Sequence, residues 1–354
     1  MRAVVFEEFG RLPEVREVAD PVPPSDGVVV RVGATGLCRS DWHGWMGHDA
    51  GITLPHVPGH ELAGRIEAVG AAVTNWRVGD RVTVPFVCAC GSCPACAAGD
   101  QQICRRQEQP GFTHWGSFAE YVPVHRADVN LVAVPEDMSY LTAAALGCRF
   151  ATAYRAVVAR GRVRAGEWLA VHGCGGVGLS AVMIAVACGA RVVAVDVAPG
   201  ALELARTFGA EACVDATTVT GGGVAAAVRE ATGGGAHVSL DALGSVAACS
   251  ASVESLRPRG RHVQIGLLPS DGAAVPVNRV VALELEILGS HGMAAHAYPE
   301  MMGQVSTGRL RPDLLVNSVI GLDEVPAALA ALSEGSGTGI TVIAPRPGEL
   351  PRRG

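Results

Sequence analysis

The chain has 354 residues, of which 49% are hydrophobic and 18% charged, and a formal net charge of −6. That is a globular composition with room for two domains, and it gives no reason to expect nucleic acid or an anionic membrane as a partner. The first ten residues carry two glutamates and no long apolar run, so no cleaved signal peptide is expected.

Residues 1 to about 147 read as β-rich. Runs such as Gly27–Val32 and Arg81–Val84 alternate with Gly, Pro and Asp turn signals, and Gly79-Asp80 marks a tight turn. Three separated segments of the chain carry potential metal ligands. Cys38 opens the run Cys38-Arg39-Ser40-Asp41-Trp42-His43, His60 and Glu61 follow Pro58-Gly59, and Cys148 lies in Gly147-Cys148-Arg149-Phe150-Ala151-Thr152. Two thiolates and an imidazole from distant points suit a catalytic zinc site, which keeps one tetrahedral corner open. A second cluster, Cys90-x2-Cys93-x2-Cys96-x7-Cys104, puts four thiols within 15 residues. This spacing suits a closed, structural zinc site, with disulfides or isolated buried thiols as the alternatives. Cys88 falls out of register with the cluster. Thiolate ligands need a reducing compartment, which points to the cytoplasm.

From about residue 165 the texture changes. A buried strand over Glu167–His172 precedes Gly173-Cys174-Gly175-Gly176-Val177-Gly178, and a helix is expected over Leu179–Cys188. The apolar stretch Leu179–Val195 is interrupted by Gly189, Ala190 and Arg191, so it reads as helix then strand rather than a membrane span. Next come a strand at Arg191–Asp196, a helix near Ala201–Phe208, a strand at Ala212–Val214 and a helix at Val224–Ala231. A strand at Ala236–Asp241, a helix at Ser245–Leu256 and a strand at Arg261–Ile265 complete an alternation that predicts a parallel sheet covered by helices on both faces. Gly173, Gly175 and Gly178 fit the dinucleotide fingerprint in its required strand–helix setting, with Gly176 and Val177 inside it. Asp196, 18 residues past Gly178, ends the next strand where a carboxylate can accept the adenosine ribose hydroxyls. With no Arg at Val197 or Ala198, the cofactor reads as NAD rather than NADP; a strand-end cap is the plainer alternative. Helices are expected near Pro299–Ser306 and Val325–Leu332, and the tail from Pro345 is expected to fray.

With these ligands, the cysteine lobe and the glycine motif in this order, the chain resembles the zinc-dependent medium-chain alcohol dehydrogenases over nearly its whole length. The resemblance implies an α/β protein with a GroES-like catalytic domain (1–149 and 289–354) and a Rossmann NAD-binding domain (150–288). It implies two zinc ions per chain: one on Cys38, His60 and Cys148 with Glu61 as an occasional ligand, the other on Cys90, Cys93, Cys96 and Cys104. Ser40 matches the hydroxyl that touches the substrate oxygen. His43 matches the outer end of a proton relay running through the cofactor ribose, and its ordinary pKa near 6.5 suits that place. Asp41 would orient the His60 imidazole. Arg39 matches a contact to the cofactor pyrophosphate, Thr152 one beside the nicotinamide, and Phe86 a substrate-pocket aromatic. Alone, Ser40 would read as a turn residue and His43 as a surface histidine; their register behind Cys38 favours the relay. Trp42 and Trp115 are candidates for the pocket or for core packing. The remaining histidines, His48 among them, have no such register and no assigned role. The implied activity is reversible hydride transfer between an alcohol and its aldehyde or ketone, by a homodimer or homotetramer. A polyol dehydrogenase and a non-enzymatic or zinc-free NAD(P)H-binding relative are the alternatives; Cys148 argues against the first and the full ligand set against the second.

Overall fold

The computed structural model describes residues 1–268, 275–334 and 337–346. The chain forms two compact units, Met1–Ala151 with Gly292–Ser306 and Pro312–Gly354, and Thr152–His291 with Thr307–Arg311.

The first unit begins with an antiparallel ribbon of β1 (Arg2–Val5) and β2 (Glu14–Glu17). Its main sheet uses β3 (Val28–Leu37), β4 (Leu62–Val69), β5 (Arg81–Thr83), β6 (Tyr121–Val124) and β7 (Val132–Ala133). The second unit supplies β8 (Trp168–His172), β9 (Arg191–Asp196), β10 (Ala212–Asp215), β11 (Ala236–Asp241), β12 (Leu256–Gln264) and β13 (Glu286–Gly289). The chain then returns to the first unit with β14 (Val316–Ile320) and β15 (Ile340–Ile343).

In the first unit the sheet order is β14-β15-β3-β4-β5-β7, with β6 and β15 lying along different stretches of β3. Val28, Val30 and Val32 alternate into a core with Leu62, Ile66, Val82 and Val122, the period of two expected of a sheet with one face inward. The β3–β4 register has a direct consequence. Thr35 pairs with Leu62, and the Gly36 amide donates to the Glu61 carbonyl at 2.7 Å. Cys38, one residue past the end of β3, is thereby brought beside His60, two residues before β4 begins.

In the second unit the six strands are all parallel, in the order β10-β9-β8-β11-β12-β13. This is the doubly wound order, and chain direction across the sheet reverses between β8 and β11. Every residue of β8 is buried, as parallel strands covered on both faces require. The helix Gly176–Ala187 is apolar nearly all round and buries Gly178–Ala185 without a break, the pattern of a core helix rather than a surface one.

Several boundaries differ from the sequence reading. The helix expected from Leu179 starts at Gly176: glycine's poor intrinsic propensity hides a first turn that the N-terminal amides define. The helix expected through Leu256 ends at Glu254, and Leu256 already belongs to β12. Pro258 and Gly260 mask that early part of the strand, where Arg259 has φ 60 and the pairing with β11 shifts register. A helix at Arg39–Trp45 was not foreseen in the β-rich half. At the C-terminus, Arg346 is anchored by the Glu120 carboxylate at 2.9 Å and stands over the Tyr121 ring; the rest of the tail expected to fray lies outside the described residues. No helix among the described residues is long and apolar enough to cross a membrane.

Candidate metal centres and cofactor cradle

Cys38, His60, Glu61 and Cys148 bring one ligand atom each to within 4.8 Å of one another. Cys38 sits at the N-terminal boundary of the helix Arg39–Trp45, and its amide donates to Asp41 Oδ2 at 2.9 Å. The other Asp41 oxygen accepts from His60 Nδ1 at 2.8 Å and from the Gly59 amide at 3.1 Å. The carboxylate thereby fixes the imidazole tautomer, leaving His60 Nε2 as the nitrogen with a free lone pair. That Nε2 is buried and has no hydrogen-bond partner, a costly state for a polar atom unless a ligand completes it.

Cys148 arrives differently. The helix Tyr140–Ala145, capped by Ser139 Oγ accepting from the Thr142 amide at 3.1 Å, widens into a π-turn at Leu146–Phe150. Such turns are frequent at functional sites. The Tyr298 hydroxyl, fully buried, donates to the Gly147 carbonyl at 3.0 Å and fixes the backbone just before Cys148.

Glu61 is engaged as well. Its Oε1 accepts from the amides of Cys148 (3.2 Å) and Arg149 (2.9 Å) and from Arg149 Nε (3.1 Å), while Arg149 Nη2 donates to Oε2. Burial pushes the Glu61 carboxyl upward, whereas the same pair keeps Arg149 firmly charged. The two-pronged geometry and two further amides favour the ionised carboxylate. To ligate a metal, Glu61 must leave Arg149. Cys38 is held well below the ordinary thiol range, first by the Cys148 thiol and, against burial, by the Arg149 charge; Cys148 is pushed up by the same pairing.

Around this cluster, Ser40 Oγ lies 3.8 Å from Cys38 Sγ. Phe86 and Phe112 stand 6.1 and 5.2 Å from the His60 ring, centroid to centroid. Trp42 packs partly into the core, with its Nε1 buried and unpartnered. Arg39 stacks over Trp42 at 4.3 Å and donates to the Leu332 carbonyl. Trp115 donates to the Pro55 carbonyl and lines, with Met1, His56 and Tyr121, a cavity of about 510 Å³ that none of the clustered metal donors lines. The sequence reading missed Arg149, Tyr298 and Phe112. Only Arg149, adjacent to Cys148, carried a local hint.

In the second cluster the sulfur separations are 3.4 Å (Cys93–Cys96), 3.7 Å (Cys93–Cys104) and 3.9 Å (Cys90–Cys96). A tetrahedron with Zn–S bonds of about 2.3 Å has edges of about 3.8 Å. A disulfide would need about 2.05 Å, and all these cysteines are free. Amides of Cys90 and Arg106 point at Cys104 Sγ at 3.4 and 3.3 Å, as donors to a thiolate should. Cys90 is pulled down to about 5, first by the Ser92 amide, while burial pushes Cys96 up to about 12.

In the second unit the three motif glycines do different jobs. Gly173 has φ +89, a region that L-residues avoid. A Cβ at Gly178 would lie 1.8 Å from the Gly173 carbonyl oxygen, whereas one at Gly175 would meet nothing within 4 Å. The open side is thus at Gly175, at the N-terminus of the helix Gly176–Ala187, where free amides and the helix dipole suit a phosphate. Asp196 Oδ2 accepts from the Cys174 amide at 2.6 Å and Oδ1 from the amides of Val197 and Ala198 at 2.7 and 2.9 Å. Thr152 Oγ1 is buried without a partner.

Two family models match the chain. The family model for the alcohol dehydrogenase GroES-like domain matches residues 24–136, and that for zinc-binding dehydrogenases matches residues 176–307. An alcohol dehydrogenase of Geobacillus stearothermophilus is 34% identical over 327 residues, covering 92% of this chain and 95% of its own. The structure of an alcohol dehydrogenase from Thermus sp. superposes with a TM-score of 0.88 at 32% identity, over 97% of this chain and 99% of that one. A structure described as an NAD-dependent alcohol dehydrogenase matches with a TM-score of 0.88 at 30% identity, over 97% and 99% of the two chains. The chain therefore belongs to the zinc-dependent medium-chain alcohol dehydrogenase family, as an oxidoreductase built from a GroES-like unit and a Rossmann unit.

Proposed function

We propose that the protein oxidises a small-molecule alcohol to its aldehyde or ketone, and catalyses the reverse reduction, using NAD and two zinc ions per chain. The observation that carries this reading is the convergence of Cys38, His60 and Cys148 around the orphaned His60 Nε2, with Glu61 as a fourth donor. Zinc bound there supplies Lewis acidity to the substrate oxygen. Asp41 holds His60 in the ligating tautomer, Arg149 keeps Glu61 off the open position, and Phe86 and Phe112 present apolar surface. Ser40 Oγ takes the proton of the alcohol, and His43 receives it at the outer end of the relay. The cysteine lobe, with sulfurs spaced as a ZnS4 tetrahedron requires, holds the second ion and takes no part in chemistry.

For the cofactor, the open side of Gly175 and the amides behind it suit the pyrophosphate, and the family resemblance makes Arg39 a further candidate phosphate contact. The free Thr152 hydroxyl suits the nicotinamide. Asp196 retains lone pairs for the ribose hydroxyls, and its charge, with uncharged Val197 and Ala198 beyond it, opposes a 2′-phosphate. The free thiols fit a reducing cytoplasm. A homodimer or homotetramer is supported by the helix Val277–Ala282, which buries no residue and leaves Val281 73% exposed, next to the free edge of β13.

Metal analysis combined with a panel of alcohols, polyols and carbonyls, followed by NADH absorbance, tests the reading. Two zincs per chain and turnover of simple alcohols are expected. Turnover of polyols alone would move the protein to the polyol dehydrogenases, and one zinc per chain would refute the two-site assignment. Asp196→Ala should narrow the preference for NAD over NADP, and a wild type that favours NADP would overturn the role of Asp196.

A further inference from the structure

His43 Nδ1 lies 2.9 Å from the Nδ1 of His48, a histidine to which no role has been given. The contact is built rather than incidental. The His48 amide donates to the His43 carbonyl at 3.0 Å, closing a turn in which Gly47 takes φ +78. The edge-on Trp42 ring packs against both imidazoles, with centroids 4.9 Å from His43 and 5.6 Å from His48. Both histidines are exposed.

Imidazole chemistry decides what this contact does. A histidine that relays a proton takes it on one ring nitrogen and releases it from the other. With Nδ1 of His43 committed to His48, only Nε2 remains to receive. Two neutral rings share such a contact with one as donor and one as acceptor, whereas two imidazolium rings would meet N–H to N–H. We propose that His48 is the outlet of the proton relay, collecting from His43 Nδ1 the proton that arrives at His43 Nε2. This rests on the relay role of His43 proposed above.

The transfer balances. His43 starts with its proton on Nδ1 and gains one on Nε2. The Nδ1–H bond then breaks as an N–H bond forms on His48 Nδ1. His48, now cationic, loses its Nε2 proton to water, and exchange with water at the two exposed rings restores the starting tautomers. The charges facing His43 support this direction. Its pKa is lowered by partial burial first, then by His48 and Arg39, with Cys38 opposing, which favours release of a proton over retention. His48 acts through His43 and touches no reacting atom.

The test compares His43→Gln, His48→Gln and the double variant in the holoenzyme, reading the pH profile of alcohol oxidation with and without imidazole buffer. NMR titration of the histidine rings in the free enzyme gives a readout independent of turnover. His48→Gln should slow oxidation at low pH by up to about tenfold, below the usual range for a direct general base. Its acid limb should move to higher pH, because His43 loses a neighbour that holds its pKa down, and imidazole should restore the rate. The double variant should be no slower than His43→Gln alone, and in the NMR titration the His43 ring should move to higher pH in His48→Gln. If His43→Gln slows oxidation and responds to buffer while His48→Gln leaves profile and titration unchanged, His48 is not the outlet although the relay stands. If His43→Gln itself changes neither profile nor buffer response, the relay and the outlet fall together. Additive losses without buffer rescue would give His48 a merely structural role and overturn the proposal.

Discussion

The two clusters of potential metal donors share cysteine but are built in opposite ways. The lobe draws all four sulfurs from Cys90–Cys104, and its geometry is set by local amides and short turns. The other cluster draws on the end of β3, the start of β4 and a π-turn more than eighty residues further on, and it includes an imidazole, a carboxylate and an arginine. The lobe has four equivalent donors and offers a metal no free corner. The mixed cluster has three strong donors and a fourth, Glu61, restrained by Arg149. The comparison teaches that closure comes from local sequence, while an open coordination position needs tertiary structure to hold a competing ligand back.

The sharpest way to break this contrast is to remove one sulfur from each cluster. Cys93→Ser should unfold the lobe and expose the protein to aggregation, because structural zinc affinity of about 10–16 kcal/mol in small domains is folding free energy. Cys38→Ser should leave thermal unfolding nearly unchanged while lowering kcat by roughly 10³-fold or more, given several kcal/mol of Lewis-acid stabilisation at about 1.4 kcal/mol per decade. Calorimetry and steady-state kinetics on the two variants check the pair. Loss of fold in both, or of activity alone in both, would erase the distinction.

Arg149→Met comes next. It leaves Glu61 buried without its cation, a change that costs about 3–5 kcal/mol when one partner of a buried pair is removed. A lower unfolding temperature is expected, together with a shift of cobalt-substituted spectra toward four protein ligands as Glu61 takes the open position. Unchanged spectra would mean that Arg149 does not restrain Glu61. Asp41→Asn should act more gently, weakening metal retention at the mixed cluster by about 10–100-fold and leaving the lobe loaded; competition with a chelator reads both sites at once.

The smallest effect lies beside the lobe, where His125 and Arg126 pair with Glu108 at 2.9 and 3.1 Å and the Glu108 backbone bridges to Cys88. Contact with Glu108 raises the His125 pKa above 6.5, so its contribution is complete below that value and is lost as pH rises through the raised pKa. Contact with His125 lowers Glu108 below 4.5, so its contribution is present above that value and is lost as pH falls through the lowered pKa. His125→Gln should therefore cost less than about 1 kcal/mol, the worth of a part-exposed pair, near pH 5.5, and almost nothing at pH 9. Thermal melts at the two pH values read the difference.

Much of this protein was legible in the chain alone. The spacing of four cysteines, the glycine fingerprint between a strand and a helix, and Asp196 at the next strand end are short-range patterns, each set by chemistry within about twenty residues. The alternation of elements in the second unit was equally local, and its misjudged boundaries fell where glycine and proline disguised a helix start and a strand start. Tertiary structure alone decided the rest. The β3–β4 register places Cys38 beside His60, the Tyr298 hydroxyl sets the backbone before Cys148, and Arg149 folds back onto Glu61. A turn ending at Gly47 brings His48 onto His43. Each of these contacts joins groups whose separation in sequence, or whose rotamer, carries no periodic signal, so only the packed chain fixes which donor meets which acceptor.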